Sequence, residues 1–226
     1  RIEAYRGRAF LRVHHTFVVD NSETFTNIDR LAYHVPTPAG QTGWKVPVID
    51  GEPLVPTAPG WSVRQYFDNQ FTVVSDGDQG PVDARLAGAI FSGPDDGPAV
   101  ALDDFWQNYP KGFSIGSGGL EVDLCPSFDA GLYDAFPFEK EGHQLYYYLL
   151  DGRYRFKQGV SKTHQLFLCF EPAGRQQLCT AFDSPPLATA SPEWYCGSKV
   201  FYDVAPRDTE RFKLYEAAID KNIAEY

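Results

Sequence analysis

The segment from residue 144 to residue 170 constrains the fold most, because it combines a tight turn with a long alternating run. Asp151-Gly152 stands between two runs of β-forming residues. Both central residues of a type I′ turn need positive φ, and an Asp-Gly pair provides it. From residue 160 onward, apolar and polar residues alternate with the period of a strand. The segment therefore predicts a two-stranded hairpin, with arms over 145–150 and 153–157, followed by a longer strand.

Two ionisable residues interrupt the apolar face of that longer strand. Lys162 and His164 fall on the face that also carries Val160, Leu166, Leu168 and Phe170. A charge there must be paired, reach water or line a cleft, since burying an unpaired ammonium group is costly. Lys162 and His164 are therefore a candidate site. The alternative is a lysine that reaches solvent at the sheet margin and a histidine bonded to a neighbouring backbone group.

A second strong strand is predicted from Ala9 to Val19, where alternation places His15 on the apolar face. We expect His15 to be a core histidine whose hydrogen bonds are satisfied. His14 falls on the opposite face beside Arg12. That face borders either a polar groove or solvent, so Arg12 and His14 are candidates for substrate binding.

The overall pattern predicts an all-β chain that folds as a large antiparallel β-sandwich, spanning residues 1–205. Short alternating runs separated by Gly- and Pro-rich turns are typical of this class. A short helix is expected over 175–182. The final segment, 206–226, differs, because its apolar residues recur at helical spacing and Asp208 can act as N-cap. We expect this helix to lead toward a following helical domain.

Two further clusters are candidates for chemistry. Residues 103–110, DDFWQNYP, predict one helical turn capped by an Asp. Trp106 and Tyr109 would form a platform for a sugar ring or an aromatic plug over the sandwich. Glu121 and Asp123 share one strand face, where two carboxylates serve acid/base chemistry or bind a cation. The simpler alternative for the carboxylates is a solvated face.

Charge and composition limit the partners. The net charge of −10, with no dense basic run, argues against nucleic acid, whose binding requires neutralised phosphates. An acidic polysaccharide remains compatible if a local basic pocket exists. No apolar run approaches the roughly 20 residues that span a membrane, so no membrane partner is expected. The chain has no Met and begins at Arg1, so we expect a piece of a longer protein.

The four cysteines are Cys125, Cys169, Cys179 and Cys196, and their spacing does not match a zinc site. Cys169 is expected to be buried on a strand. Cys179 and Cys196 would be able to form a disulfide if the protein is exported. No cofactor is predicted, and a divalent cation such as calcium stays open.

Three stretches of the sequence carry a family resemblance. They are RIEAYRGRAFLRVHHTFVV at the start, DFWQNYPKGFSI followed by LEVDLCP, and FKQGVSKTHQLFLCF. Together they resemble the central β-sandwich domain of the exo-acting rhamnogalacturonan lyase and YetA-like family, with GVSKTH and FWQNYP as the more specific segments. The resemblance implies a multi-domain polysaccharide lyase, with this sandwich between an N-terminal β domain and a helical toroid. It implies cleavage beside a uronic acid. The compartment stays open, with an extracellular or periplasmic location favoured.

The chemistry of such a reaction suggests roles for the candidate residues. A lyase needs a base, a group that neutralises the uronate carboxyl, and an acid for the leaving oxygen. His164 is our choice for base or substrate contact and Lys162 for carboxylate neutralisation. Tyr147 is a candidate proton donor, and Trp106 a candidate for stacking. We expect the piece alone to be inactive, because the cleft of such lyases lies between domains.

Two other functions stay open at this stage. One is a noncatalytic β-sandwich that binds polysaccharide or supports a neighbouring domain. The other is a glycoside hydrolase module that uses Glu121 and Asp123. Hydrolysis needs two carboxyl groups on either side of the scissile bond, whereas neighbouring residues on one strand face point the same way.

Overall fold

The computed structural model describes residues 1–37, 41–56, 60–74, 80–93, 97–133, 148–171, 173–183 and 188–225. The chain divides into two compact units, Arg1–Pro185 and Pro186–Tyr226. The second unit thus begins earlier than residue 206, where the sequence pattern placed the change from sandwich to helix. The candidate site residues all belong to the first unit.

The described part of the first unit contains fifteen strands and one helix. In chain order the strands are β1 (Ile2–Ala4), β2 (Phe10–Val18), β3 (Phe25–Ile28), β4 (Leu31–Pro36), β5 (Val48–Ile49), β6 (Ser62–Phe67), β7 (Gln70–Val74), β8 (Arg85–Leu86), β9 (Ala89–Phe91), β10 (Ala99–Leu102), β11 (Lys111–Gly116), β12 (Gly119–Cys125), β13 (Leu149–Leu150), β14 (Arg153–Lys157) and β15 (Ser161–Cys169). The helix is α1 (Arg175–Asp183), one residue longer than the helix predicted over 175–182.

Two five-stranded antiparallel sheets form the body of this unit. The first has the order β1-β2-β15-β10-β9 and the second the order β4-β12-β11-β6-β7. A single hydrophobic cluster includes Val13 and Leu166 from the first sheet and Phe113 and Leu120 from the second. Because side chains alternate along each strand, strands of both sheets direct the residues of one face into this shared core. The predicted all-β antiparallel sandwich is confirmed.

β15 lies at the centre of the first sheet and pairs with β2 along its whole length. The register places His164 opposite His15 and Lys162 opposite Phe17, so all four side chains lie on one face of the sheet. The predicted alternation holds within β15. It fails just outside the strand, where Val160 and Phe170 are both exposed.

The predicted hairpin is present, and β13 and β14 form its arms. Asp151 has a φ of 55° and Gly152 a φ of 70°, the two positive values that a type I′ turn requires. β14 also pairs with β3, which makes a small three-stranded sheet with its own aromatic core around Tyr133 and Tyr154. Residues 145–147 of the predicted first arm lie outside the described residues.

Helix α1 covers the other face of the first sheet. Phe182 of α1 stacks on Phe167 of β15, with ring centroids 5.3 Å apart. Cys169 and Cys179 are buried in the same apolar cluster. β15 therefore contributes to the hydrophobic packing on both faces of its sheet.

The second unit contains α2 (Pro192–Ser198) and α3 (Lys213–Glu225). The sequence pattern places the terminal helix within 206–226, and the helix itself begins at Lys213. Asp208 still has a capping role, because its carboxylate accepts hydrogen bonds from the backbone N–H groups of Glu210 and Arg211 in the preceding turn. No helix among the described residues is both long and apolar enough to cross a bilayer.

The hairpin turn generates the first prediction. A Cβ on Gly152 would lie 3.0 Å from the carbonyl oxygen of Phe128, in addition to the strain of its positive φ. We expect Gly152→Ala to lower the free energy of unfolding by about 2 kcal/mol or more. Gly159→Ala is the matched control: Gly159 also has a positive φ, but a Cβ there meets nothing within 4 Å. This control should cost only about 1 kcal/mol.

Urea denaturation of the two variants, compared with the unsubstituted chain, measures both losses. Equal losses would show that the hairpin does not need its close contact with residues 128–130.

Candidate functional site

A cleft of about 220 Å³ opens beside His164, between the first sheet, the second sheet and the small sheet. β15 contributes Lys162 and His164, β11 begins at the cleft with Lys111, and β12 ends there with Cys125. The complete lining consists of Asn108, Tyr109, Pro110, Lys111, Cys125, Tyr148, Tyr154, Arg155, Phe156, Lys157, Val160, Lys162 and His164.

The charge of this lining is opposite to that of the whole chain. Four of the lining residues are lysine or arginine, and none of the described lining residues is aspartate or glutamate. The chain as a whole carries a net charge of −10. The cleft is thus the local basic pocket that an acidic polysaccharide would require.

Lys162 is half-buried, and its ammonium group donates a 2.5 Å hydrogen bond to Oδ1 of Asn108. Burial lowers its pKa from the ordinary lysine value, while the Cys125 thiol and the Asp104 carboxylate act in the opposite direction. Asn108 is held in place by a backbone hydrogen bond from its N–H to the carbonyl of Asp104. The 103–110 segment therefore contains one turn closed by an i to i+4 hydrogen bond, which agrees with the single helical turn predicted there.

His164 is 5% exposed, and neither ring nitrogen has a hydrogen-bond partner among the described residues. Its ring lies 6.2 Å from those of His15 and Phe17. Burial, together with the nearby Lys111, Lys162 and His15, lowers the pKa of His164 to about 3. The alternative of a histidine bonded to neighbouring backbone does not hold, and His164 is neutral near pH 7.

Lys111 is the residue of the cleft that the sequence reasoning missed. It is 4% exposed, and its ammonium group donates to the carbonyl oxygens of Leu124 at 2.9 Å and Pro110 at 3.1 Å. Its pKa is lowered to about 7, chiefly by burial, with opposing smaller contributions from Cys125, which raises it, and Lys162, which lowers it. Its sequence signal is the same as for Lys162: it lies two residues before Phe113 and therefore shares the core face of the strand with it.

The remaining buried groups of the cleft keep their protons. Burial raises the pKa of the Cys125 thiol, although Lys111 and Lys162 partly offset it. Burial likewise raises the pKa of Tyr154, whose hydroxyl donates a 2.7 Å hydrogen bond to the carbonyl of Pro126. Neither group supplies a negative charge that would balance the lysines.

Arg12 and His14 lie away from the cleft. They alternate with His15 along β2 and so project from the opposite face of the sheet. Arg12 donates to Oε1 of Gln165 at 3.4 Å and packs over Phe182 of α1. His14 lies 3.6 Å from a carboxylate oxygen of Glu3. The structure does not bring these two residues together with Lys162 and His164.

The aromatic candidates are also separated. Tyr109 lines the cleft, whereas Trp106 does not and instead stacks under the guanidinium of Arg85, 4.4 Å from its ring centre. Tyr147 lies outside the described residues. Its neighbour Tyr148 lines the cleft.

His15 differs from the expected satisfied core histidine. It is only half-buried, and its Nδ1 atom is buried without a hydrogen-bond partner among the described residues. The cause is its position: the facing residue across β2 and β15 is another histidine, His164. Backbone groups of both strands are already used in sheet pairing.

The two carboxylates of β12 form an ion pair with one arginine. The guanidinium of Arg30 donates to Glu121 and, at 2.7 Å, to Asp123. Asp123 is fully buried and also accepts a hydrogen bond from Ser114, so this face is not the solvated surface of the simpler reading. A shared cation leaves neither carboxylate available for a metal ion.

All four cysteines have free thiols. Among the described residues, no group of three or more His, Cys, Asp and Glu side chains is arranged to hold a metal ion.

No known protein-family model matches this chain, and no curated protein matches it significantly. The resemblance to the rhamnogalacturonan lyase and YetA-like family therefore stays a prediction.

The buried, unpartnered imidazole of His164 generates a prediction for stability. His164→Leu should raise the free energy of unfolding near pH 7 by about 1–3 kcal/mol, because it removes polar atoms that lack partners. It should also weaken the loss of stability in acid. The unfolded chain takes up the His164 proton below about pH 6.5, whereas the folded chain takes it up only near pH 3.

The pH-dependent part of the free energy of unfolding that arises from His164 is therefore fully present above the unfolded-state pKa. It is lost as the pH falls from about 6.5 to about 3. Urea denaturation between about pH 3.5 and 7 measures it, with His34→Leu, at an exposed histidine of the same unit, as control. A His164→Leu chain that is less stable at every pH would contradict the expectation.

Proposed function

We propose that this chain is the β-sandwich domain of a polysaccharide lyase that acts by β-elimination beside a uronic acid, in a rhamnogalacturonan-like polysaccharide. The observation that supports it most is the basic cleft, which combines two buried or half-buried lysines with a neutral histidine and has no described carboxylate in its lining. We further propose that a neighbouring domain of a longer polypeptide completes the site.

The lysines favour an anionic group in the cleft. Lys111 and Lys162 both lie in a partly water-excluded region, where the attraction between opposite charges exceeds its value in water several-fold. No described side chain of the lining competes for their charge. A uronate carboxylate would supply the missing negative charge and accept hydrogen bonds from one or both ammonium groups.

The reaction assigns each group a step. His164 removes the proton on the carbon next to the carboxyl group. The electron pair of the broken C–H bond forms the new carbon–carbon double bond as the bond to the leaving oxygen breaks. Lys111 and Lys162 stabilise the negative charge that builds up on the carboxylate during proton removal. The leaving oxygen takes a proton from an acid. Three tyrosines line the cleft, and because the hydroxyl of Tyr154 donates to the carbonyl of Pro126, Tyr109 and Tyr148 are the candidates there. Tyr147 stays a candidate.

The low pKa of His164 suits this role. Burial, and after it the adjacent ammonium groups, disfavour the imidazolium, so the ring is neutral and able to accept a proton. A bound carboxylate offsets those positive charges and raises the basicity of His164 when the substrate is in place. Base strength is thus coupled to occupancy of the cleft by an anion.

The carboxylate pair gives no comparable support to a hydrolase. Glu121 and Asp123 share the guanidinium of Arg30, whereas a hydrolase needs two carboxyl groups that flank the scissile bond, one of them able to carry a proton.

The test is the near-ultraviolet absorbance of the unsaturated uronate that elimination produces. We expect rhamnogalacturonan or another uronic acid polysaccharide to give this signal with the longer polypeptide, and Lys162→Met to lower kcat/KM by about 10²–10³-fold through loss of carboxylate stabilisation. Lys45→Met is the control, because Lys45 is an exposed lysine of the same unit that does not line the cleft. The 226-residue chain, assayed alone, shows whether the neighbouring domain is needed.

Full activity in Lys162→Met would contradict the site assignment even if the lyase reaction is correct. Binding of uronic acid oligosaccharides without any absorbance change would instead identify a noncatalytic carbohydrate-binding domain. If no uronic acid polysaccharide of the panel were bound or cleaved, the proposal would be excluded.

A further inference from the structure

Lys111 occupies an unusual position for a lysine, at the inner end of a cleft and almost completely buried. An ammonium group has three N–H donors. The carbonyls of Pro110 and Leu124 accept two of them, and the third has no partner among the described residues. Two neutral carbonyls satisfy hydrogen bonds but do not balance a full charge.

The surroundings of Lys111 determine what this third donor can bind. Across from β11, β15 presents Lys162 and His164, and β12 presents Cys125. β14 adds Tyr154, Arg155 and Lys157 to the same lining. The nearest described carboxylates, Asp104 and Asp123, do not line the cleft, and Asp123 is bonded to Arg30 and Ser114. An anion bound in the cleft would therefore act as the counter-ion of Lys111 and favour its protonated form.

We propose that Lys111 is the specificity-determining residue of the cleft: it takes up a proton as an anionic sugar enters, and so selects a uronate over the corresponding neutral sugar. The sugar class rests on the proposed function, whereas the coupling of anion and proton rests on the cleft itself. A neutral sugar supplies no charge to offset a buried ammonium group, so it gains nothing from protonation of Lys111 and leaves the buried amine as it was.

Other groups in the cleft do not account for such a proton near neutral pH. The Cys125 thiol and the Tyr154 hydroxyl remain protonated because burial raises the pKa of each. His164, with a pKa of about 3, remains neutral. Lys162 is half-exposed and bonded to Asn108, and Arg155 and Lys157 are basic groups nearer the surface. Lys111, with a pKa of about 7, is the group that is poised to change.

The size of the cleft limits the ligand to about one sugar residue. Sites that enclose drug-sized ligands usually measure about 300–1,000 Å³, and this cleft measures about 220 Å³. One hexuronate, with its single carboxylate, therefore matches both the volume and the single free donor of Lys111. D-galacturonate and D-galactose are suitable probes because they differ at the group in question.

Isothermal titration calorimetry of the 226-residue chain with D-galacturonate, in two buffers of different ionisation enthalpy, measures the proton taken up on binding. We expect uptake close to one proton per ligand at about pH 8 and close to none at about pH 6, since Lys111 in the free cleft changes charge near pH 7. The affinity should fall up to about tenfold for each pH unit above 7. D-galactose should bind far more weakly and without proton uptake.

Lys111→Met should abolish the proton uptake and reduce the preference for D-galacturonate over D-galactose, whereas Lys45→Met should change neither. Should Lys111→Met fail to fold, Lys162→Met takes its place: proton uptake that persists in Lys162→Met supports Lys111 as the source, and loss of that uptake would overturn the assignment.

D-galacturonate binding without proton uptake would overturn this inference and leave the proposed function in place. Proton uptake that persists in a folded Lys111→Met chain would assign the coupling to another residue. An absence of binding to D-galacturonate and to its oligomers would overturn both.

Discussion

The structure depends on three basic side chains that point from core-facing strand positions into one cleft without a described carboxylate to balance them. Each of them lowers the free energy of unfolding, because desolvation disfavours the charged form and burial of an unbonded polar atom is costly. The protein limits the cost by releasing protons: His164 is neutral, and Lys111 is poised between its two forms near pH 7. Both lysines donate hydrogen bonds to neutral oxygens, Lys162 to the side chain of Asn108 and Lys111 to two backbone carbonyls.

β15 explains how the fold accommodates such a site. The carboxyl-terminal half of this strand is buried on both faces, where Leu166 and Leu168 pack in the sandwich and Phe167 packs under α1. That half gains enough apolar contact to hold the strand in a single register with β2. The amino-terminal half is then free to carry Lys162 and His164 at the edge of the core. The hairpin of β13 and β14 forms the opposite wall, and its type I′ turn fixes where that wall lies.

Much of this was predictable from the sequence, because alternation and turn chemistry are local. They identified β2, β15, the hairpin and the core-facing Lys162 and His164. Lys111 follows from the same rule, yet it stands directly after a proline at the first position of β11, where a lysine is ordinarily at a solvated strand end. The separation of Arg12 from the cleft depends on which strand pairs with β2 and in which register. No local pattern contains that information.

A basic cleft can attract an anion even though the chain as a whole is negatively charged, because the two charges act over different distances. The net charge of −10 acts over a distance and repels an acidic polysaccharide, but salt screens such surface charges beyond about 8 Å at physiological ionic strength. Buried lysines are screened far less, and their field acts in a region of lower dielectric constant. For the proposed substrate, long-range repulsion would therefore mainly slow the approach of the polyanion, while short-range attraction would determine where one carboxylate binds. This difference between screened surface charges and buried lysines would favour one acidic sugar bound in the cleft over nonspecific binding of a charged polysaccharide along the surface.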